Sequence, residues 1–137
     1  MEKSKVRVVG TFIEHDGKFL ILRRRPDDGD CWGLPAGGVN KGETDAQAAV
    51  REIFEETGYQ TKESDIEYLT QIDIEYPKFI CEFPAFRLRL AKAIEVKHNP
   101  DEHIGYKWVT PEECHAMKDL IKGFHELLVM VGYMKNI

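Results

Sequence analysis

Gly37-Gly38-Val39-Asn40-Lys41-Gly42-Glu43-Thr44-Asp45-Ala46-Gln47-Ala48-Ala49-Val50-Arg51-Glu52-Ile53-Phe54-Glu55-Glu56-Thr57-Gly58-Tyr59 is the stretch from which the rest of the chain is read. It opens as a glycine-rich loop and continues as a helix. Thr44 is a good N-cap, and Gln47 three positions on completes a capping box. Gly58 suits the left-handed residue that ends a helix. The pattern therefore predicts a helix over about 45–57. At roughly 100° per residue, Glu55 and Glu56 fall to either side of Glu52. Ala48 and Ala49 lie one turn earlier on the same side. Ala46, Val50, Ile53, Phe54 and Thr57 gather on the opposite side, which reads as the core face, with the three carboxylates pointing away from it.

Three acids on one helix face ordinarily form a solvated surface. Two features oppose that reading here. Glu52 and Glu56 are a like-charge i,i+4 pair, costing about 0.2–0.5 kcal/mol unless a cation sits beside them. The small residues and glycine-rich loop next to them leave room for such a cation and for a bulky ligand. Carboxylate oxygens favour Mg²⁺, with Mn²⁺ as the alternative, and Mg²⁺ commonly shares substrate phosphates.

Gly37, five residues, Glu43, seven residues and then Arg51-Glu52-Ile53-Phe54-Glu55-Glu56-Thr57-Gly58 resembles the Nudix box at its fixed positions. Seven fixed positions at roughly 1 in 20 each arise by chance on the order of 10⁻⁹ per window. The box's last position is usually aliphatic, and here it is Tyr59, which keeps an apolar body. The box covers 23 of the 137 residues.

The remaining chain is ordinary for a soluble globular protein, with 42% hydrophobic and 31% charged residues. Its length suggests a single domain over 1–137. The net charge of −5 argues against an extended nucleic-acid surface. Cys31, Cys81 and Cys114 are widely spaced and form no CxxC pair, so reduced thiols and a cytoplasmic location are expected. No apolar run reaches the ~20 residues of a membrane span, and no signal-peptide pattern is visible.

Val6 to His15 reads as a strand, Asp16-Gly17 as a tight turn, and Lys18 to Arg25 as the return strand. Pro26 to Cys31 is a loop. Arg23 and Arg25 share one strand face just before the box and are candidates for phosphate pairing, since Arg matches phosphate geometry bidentately. Trp32 beside Gly33 reads as loop packing, with base stacking as the alternative. Two long strands are expected at 66–76 and 79–93, joined by Tyr76-Pro77-Lys78. Pro84 suggests an edge or a bulge. Arg87 and Arg89 share a face that either meets solvent or lines a groove. A polar loop runs from His98 to His103, and both histidines read as surface residues, with a ligand role as the alternative. A short strand follows at 106–109, then a capped helix from Thr110 to about Met117. A final helix is expected over about 120–134.

Strands, one helix, strands, then helices fit an α/β protein. The resemblance implies a Nudix-type α/β/α sandwich with a mixed β-sheet between helices, the box forming the active-site edge. It also implies hydrolysis of a nucleoside diphosphate linked to another group, with a small nucleotide as the substrate. On that reading Glu52, Glu55 and Glu56 are metal ligands, joined by the Gly37 carbonyl. Arg51 is turned from the metal face and pairs with Glu43 to hold loop on helix. The general base comes either from the box, as Glu55 or Glu56, or from a later loop, where Glu102 stands six residues before Trp108. The expected substrates are (deoxy)nucleoside triphosphates, damaged ones included, or relatives such as ADP-ribose. The alternatives are a dinucleoside polyphosphate hydrolase, for which Tyr76 is the one candidate residue, a non-catalytic nucleotide-sensing module, and an isomerase of prenyl diphosphates. Homodimers are common among such proteins, though the sequence itself shows no interface.

Overall fold

In the computed structural model, which describes residues 3–135, seven strands form one mixed sheet. The first hairpin joins β1 (Ser4–His15) to β2 (Lys18–Arg24). Its turn residues Asp16 and Gly17 both take positive φ, 52° and 76°, as a two-residue turn matched to strand twist requires. Two short strands follow, β3 (Trp32–Gly33) and β4 (Ala36–Gly38). The helix α1 (Asp45–Thr57) comes next, then β5 (Ile66–Glu75), β6 (Phe79–Arg89) and β7 (His103–Val109). The chain closes with α2 (Pro111–His115) and α3 (Phe124–Met130). β1 and β6 run parallel, and the other pairings are antiparallel.

Alternation along the central strands builds a core on each face of the sheet. From β1 and β2, Phe12, Phe19 and Ile21 join Cys114, Phe124, Leu127 and Leu128 beneath α2 and α3. The intervening residues Ile13, Leu20 and Leu22 join Ile53 of α1 on the opposite face, with Leu88. Val9 meets Ala48, Ala49 and Phe86 there. The expected α/β/α arrangement with a mixed sheet between helices is therefore present.

The helix α1 has the expected bounds. Thr44 accepts from the Gln47 N–H at 3.1 Å, and the Gln47 side chain accepts from the Thr44 N–H at 2.9 Å. Gly58 caps the far end at φ 80°. Its orientation differs from the expected one. The buried face is Ala48, Ala49, Glu52, Ile53, Glu56 and Thr57, whereas Phe54 is half exposed. The helix thus presses two of its three acids against the sheet. The alanines beside them are small enough to bring the backbone close, and that close approach decided the face over the bulk of Phe54.

Two further expectations are corrected. Of the edge or bulge expected at Pro84, the edge is excluded, since β6 has β1 on one side and β5 on the other, whereas the β5–β6 ladder does shift register beside it, between Tyr68 and Thr70. The ladder to β1 lacks pairs opposite Phe83 and Pro84, consistent with a residue that has no N–H. The last helix covers only Phe124–Met130. Before it, Leu120 bridges to Trp32, the Trp32 N–H donates to the Asp119 carbonyl at 2.8 Å, and Gly123 sits at φ 90°. After it, Gly132 takes φ 87°. The apolar spacing of residues 120–134 reflects packing on one core, and the two left-handed glycines set where the helix ends. Among the described residues, no helix is long and apolar enough to cross a membrane.

Candidate active site

The strand β4 brings the glycine-rich loop under α1. Gly37 and Gly38 pair with Val9 and Val8 of β1, and the Val39 N–H donates to the Arg7 carbonyl at 3.0 Å. The Glu52 carboxylate then lies directly on the Gly37 backbone, where any Cβ would collide with it. A glycine is needed at 37 to make room for that acid. Gly37→Ala is expected to displace the flexible end of Glu52 and to destabilise the fold by about 1 kcal/mol, the low end of the overpacking range. Thermal melting of the variant checks this, and an unchanged melting temperature would show that the contact is slack.

Arg51 ties loop and helix together. Its Nε and Nη2 donate to the two Glu43 oxygens at 2.8 Å each, and Nη2 also donates to the Gly38 carbonyl at 2.8 Å. Its Nη1 reaches Glu52 at 2.6 Å and Glu55 at 3.2 Å. The paired guanidinium holds the Glu43 carboxyl down at about 2. The Asn40 N–H donates to Glu43 at 3.0 Å, closing the loop.

The two inward acids experience the opposite environment. Burial pushes the Glu52 carboxyl up to about 7 against the pull of Arg51, with Glu56 and Glu55 adding to the rise. Burial also raises Glu56, which is 2% exposed. Glu56 Oε2 lies 2.8 Å from His103 Nδ1. The two atoms are close but not aligned for a hydrogen bond, and neither has a hydrogen-bond partner among the described residues. Glu102 stands next to them, one donor atom from each of Glu56, Glu102 and His103 falling within 4.8 Å of the others.

Glu52, Glu56, Glu102, His103, Gly37, Gly38, Ala36, Asp28 and Arg24 line a polar cleft of about 310 Å³. Its Gly37–Gly38 wall and Arg24 are shared with an apolar cavity of about 410 Å³. That cavity is walled by β1, β5, β6 and the start of α3, through residues such as Val8, Ile72, Tyr76, Phe83, Lys122 and Phe124. Tyr76 and Phe79 stack at its rim, 4.8 Å between centroids, with Lys122 Nζ 5.1 Å from the Tyr76 ring centre.

The structure thus brings Gly37, Glu52, Glu56 and Glu102 together. Glu55 is exposed beside them, bonded to Arg51, and is not on the cleft wall. Arg23 and Arg25 are also off the wall. Arg23 donates to Asp30 at 2.9 Å and Arg25 to Asp27 at 3.2 Å, both exposed. The arginine on the cleft is Arg24. Parity explains this: Leu20, Leu22 and Arg24 share the strand face that α1 covers. His103 is 8% exposed and not a surface histidine. Trp32 packs on the core under α3, with Lys107 Nζ 4.6 Å from its ring centre. Arg87 and Arg89 turn to Glu14 at 2.8 and 3.4 Å and lie away from both cavities.

Known proteins place this arrangement. The family model for the Nudix domain matches residues 3–128, and the chain belongs to that family. Over 132 residues it is 32% identical to dihydroneopterin triphosphate diphosphatase of Escherichia coli (strain K12), with 84% of each chain covered. A MutT-like protein of Streptomyces ambofaciens is 30% identical over 108 residues, covering 79% of this chain and 65% of the relative. The structure of the MutT protein from Methanosarcina mazei Go1 superposes with a TM-score of 0.82 at 29% identity, covering 92% of this chain and 91% of that one. The chain spans 27% and 65% of the length of two of the curated relatives it matches.

Proposed function

We propose that the protein is a divalent-metal-dependent pyrophosphohydrolase that cleaves a nucleoside diphosphate linked to a further group. Nucleoside triphosphates and related heterocyclic triphosphates are the leading substrates. The observation that carries this reading is the shared Gly37–Gly38 wall. Buried carboxylates with an unpartnered oxygen lie on one side of it, and an apolar cavity on the other. A phosphate chain crossing that wall would meet the acids while its ring system filled the cavity.

The donor set fits Mg²⁺ or Mn²⁺. Glu52 and Glu56 are buried acids one helical turn apart, and nothing among the described residues satisfies Glu56 Oε2. Glu52, Glu56, Glu102 and the Gly37 carbonyl would hold the ion, with Glu55 at the exposed margin. When bound, the ion supplies positive charge to the phosphate oxygens and makes water acidic enough to attack near neutral pH.

The chain's own groups do the rest. Glu102, exposed at the cleft mouth, would give one carboxylate oxygen to the ion and leave the other free to take the proton of the attacking water. The water oxygen bonds to one phosphorus as the bridging P–O bond breaks, and two phosphate-bearing products leave. Arg24 stands where the polar cleft meets the cavity, its nearest acid being Asp28 at 3.7 Å. It is therefore available for a phosphate, which a guanidinium binds bidentately. The Arg51–Glu43 pair keeps the loop beneath the helix, so the acids are held in place before substrate arrives. The apolar cavity excludes water from the ring end of the substrate. The E. coli relative, named for a pterin triphosphate, supports a heterocyclic triphosphate here.

A hydrolysis panel tests the assignment. It spans nucleoside triphosphates, oxidised guanine nucleotides, dihydroneopterin triphosphate, ADP-ribose, nucleotide sugars and dinucleoside polyphosphates, each with Mg²⁺ and with EDTA. One class is expected to exceed the others by about tenfold or more in kcat/KM. No EDTA-sensitive cleavage of any member would overturn the reading.

A further inference from the structure

His103 is a buried, ionisable member of the cleft that the box does not supply and that hydrolysis, as derived above, does not use. It is 8% exposed. Its Nδ1 faces the carboxylates with no hydrogen-bond partner among the described residues. Buried imidazoles are ordinarily oriented through such bonds, so an unpartnered buried ring nitrogen calls for an explanation. Glu56 Oε2, 2.8 Å away, is unpartnered as well.

We propose that His103 Nδ1 is a ligand in the metal site, giving it a mixed nitrogen–oxygen donor set with Glu56 and Glu102 and a preference for Mn²⁺ over Mg²⁺. The proposal rests on the cleft being a metal site, as argued above, and adds a specific ligand and a metal preference to it. Two donors on the same small ion, at right angles, stand about 3 Å apart. The separation of His103 Nδ1 and Glu56 Oε2 matches that spacing. The contact is within ion-pair distance, but the ring N–H and the carboxylate are not aligned for a hydrogen bond, an arrangement that an ion bridging the two atoms accounts for. The Glu102 donor completes a three-atom cluster within 4.8 Å.

The backbone around His103 is well held. It is the first residue of β7, its N–H donates to the Asn99 carbonyl at 2.9 Å, and it pairs with Arg24 of β2 across a shift in register that follows Arg23. The ring is therefore set by the sheet on one side as Glu56 is set by α1 on the other. Ligand chemistry supplies the preference. Carboxylate and carbonyl donors suit Mg²⁺ and Mn²⁺ alike, and Mn²⁺, as a first-row transition ion, tolerates an imidazole nitrogen better than Mg²⁺ does.

The test is pulsed EPR of the full chain loaded with Mn²⁺, alongside binding titrations of Mn²⁺ and Mg²⁺. The wild type is expected to show ¹⁴N modulation from a coordinated imidazole, and His103→Gln to lose it while melting as a folded protein. Mn²⁺ affinity is expected to fall about tenfold or more in that variant, with a much smaller change for Mg²⁺. Bound Mn²⁺ without ¹⁴N modulation in the wild type, or modulation that persists in His103→Gln, overturns the proposal and leaves the hydrolase reading standing. Failure of Mn²⁺ and Mg²⁺ to bind at all overturns both.

Discussion

Glu56→Gln is expected to fold as the wild type does and to lose about 10²–10⁴-fold in kcat, the range for removing a key acid–base or charge-stabilising group. Gln has nearly the same shape, so the packing against Ile53 and the sheet is retained. What is lost is charge. Glu56 is 2% exposed, and its Oε2 faces the cleft without a hydrogen-bond partner among the described residues. An acid held there against its desolvation cost is hard to account for as a structural group. Circular dichroism and a thermal melt establish the fold, and steady-state kinetics with saturating Mg²⁺ give the loss. Turnover within a factor of a few of the wild type would remove Glu56 from the reacting centre.

Glu52→Gln is expected to make the metal-free protein more stable at alkaline pH while weakening its affinity for Mg²⁺. The folded carboxyl is raised to about 7, against roughly 4.3 in an unfolded chain. Below about pH 4 both states carry the proton, and the group contributes no pH dependence. Between the two values the folded chain holds a proton that the unfolded chain has released, so stability falls as pH rises. Above about pH 7 the full deficit remains, on the order of 1–3 kcal/mol. A neutral Gln does not incur it. The lost contact with Arg51 offsets part of the gain, but Arg51 keeps Glu43 and the Gly38 carbonyl. Melts in EDTA should show the variant several degrees above the wild type at pH 8, and the difference should shrink toward pH 4. Added Mg²⁺ should narrow the gap by stabilising the wild type more. A variant no more stable than the wild type at pH 8 would contradict the buried, strained carboxylate. The trade of stability for function is common at sites that hold charge ready for a ligand.

Much of this fold was readable because its signals are local. The capping box at Thr44 and Gln47, the glycine at 58 and the Asp16-Gly17 turn each act within a few residues. The unbroken apolar run Phe19, Leu20, Ile21 and Leu22 marked a strand but could not say which face α1 would cover, because both faces are buried. That ambiguity placed the phosphate candidates on Arg23 and Arg25 when the cleft takes Arg24. The helix face was misread for a related reason. Helical periodicity ranks side chains by polarity, and here two polar ones are buried deliberately beside small alanines. His103 carried only its place beside Glu102 in a polar loop, which reads first as a surface position. Its burial depends on β7 lying against β2, a pairing of segments some eighty positions apart that no local pattern reports. The apolar cavity is likewise assembled from five separated segments, and nothing in any one of them foretells it.

The most direct measurement is turnover in ¹⁸O-labelled water with a preferred nucleotide, with and without Mg²⁺. Mg²⁺-dependent cleavage is expected, with one labelled oxygen entering a phosphate of one product, and the same assay should be nearly silent for Glu56→Gln. Tight Mg²⁺-dependent nucleotide binding with no bond broken and no label incorporated would contradict hydrolysis and mark the protein as a nucleotide-sensing module.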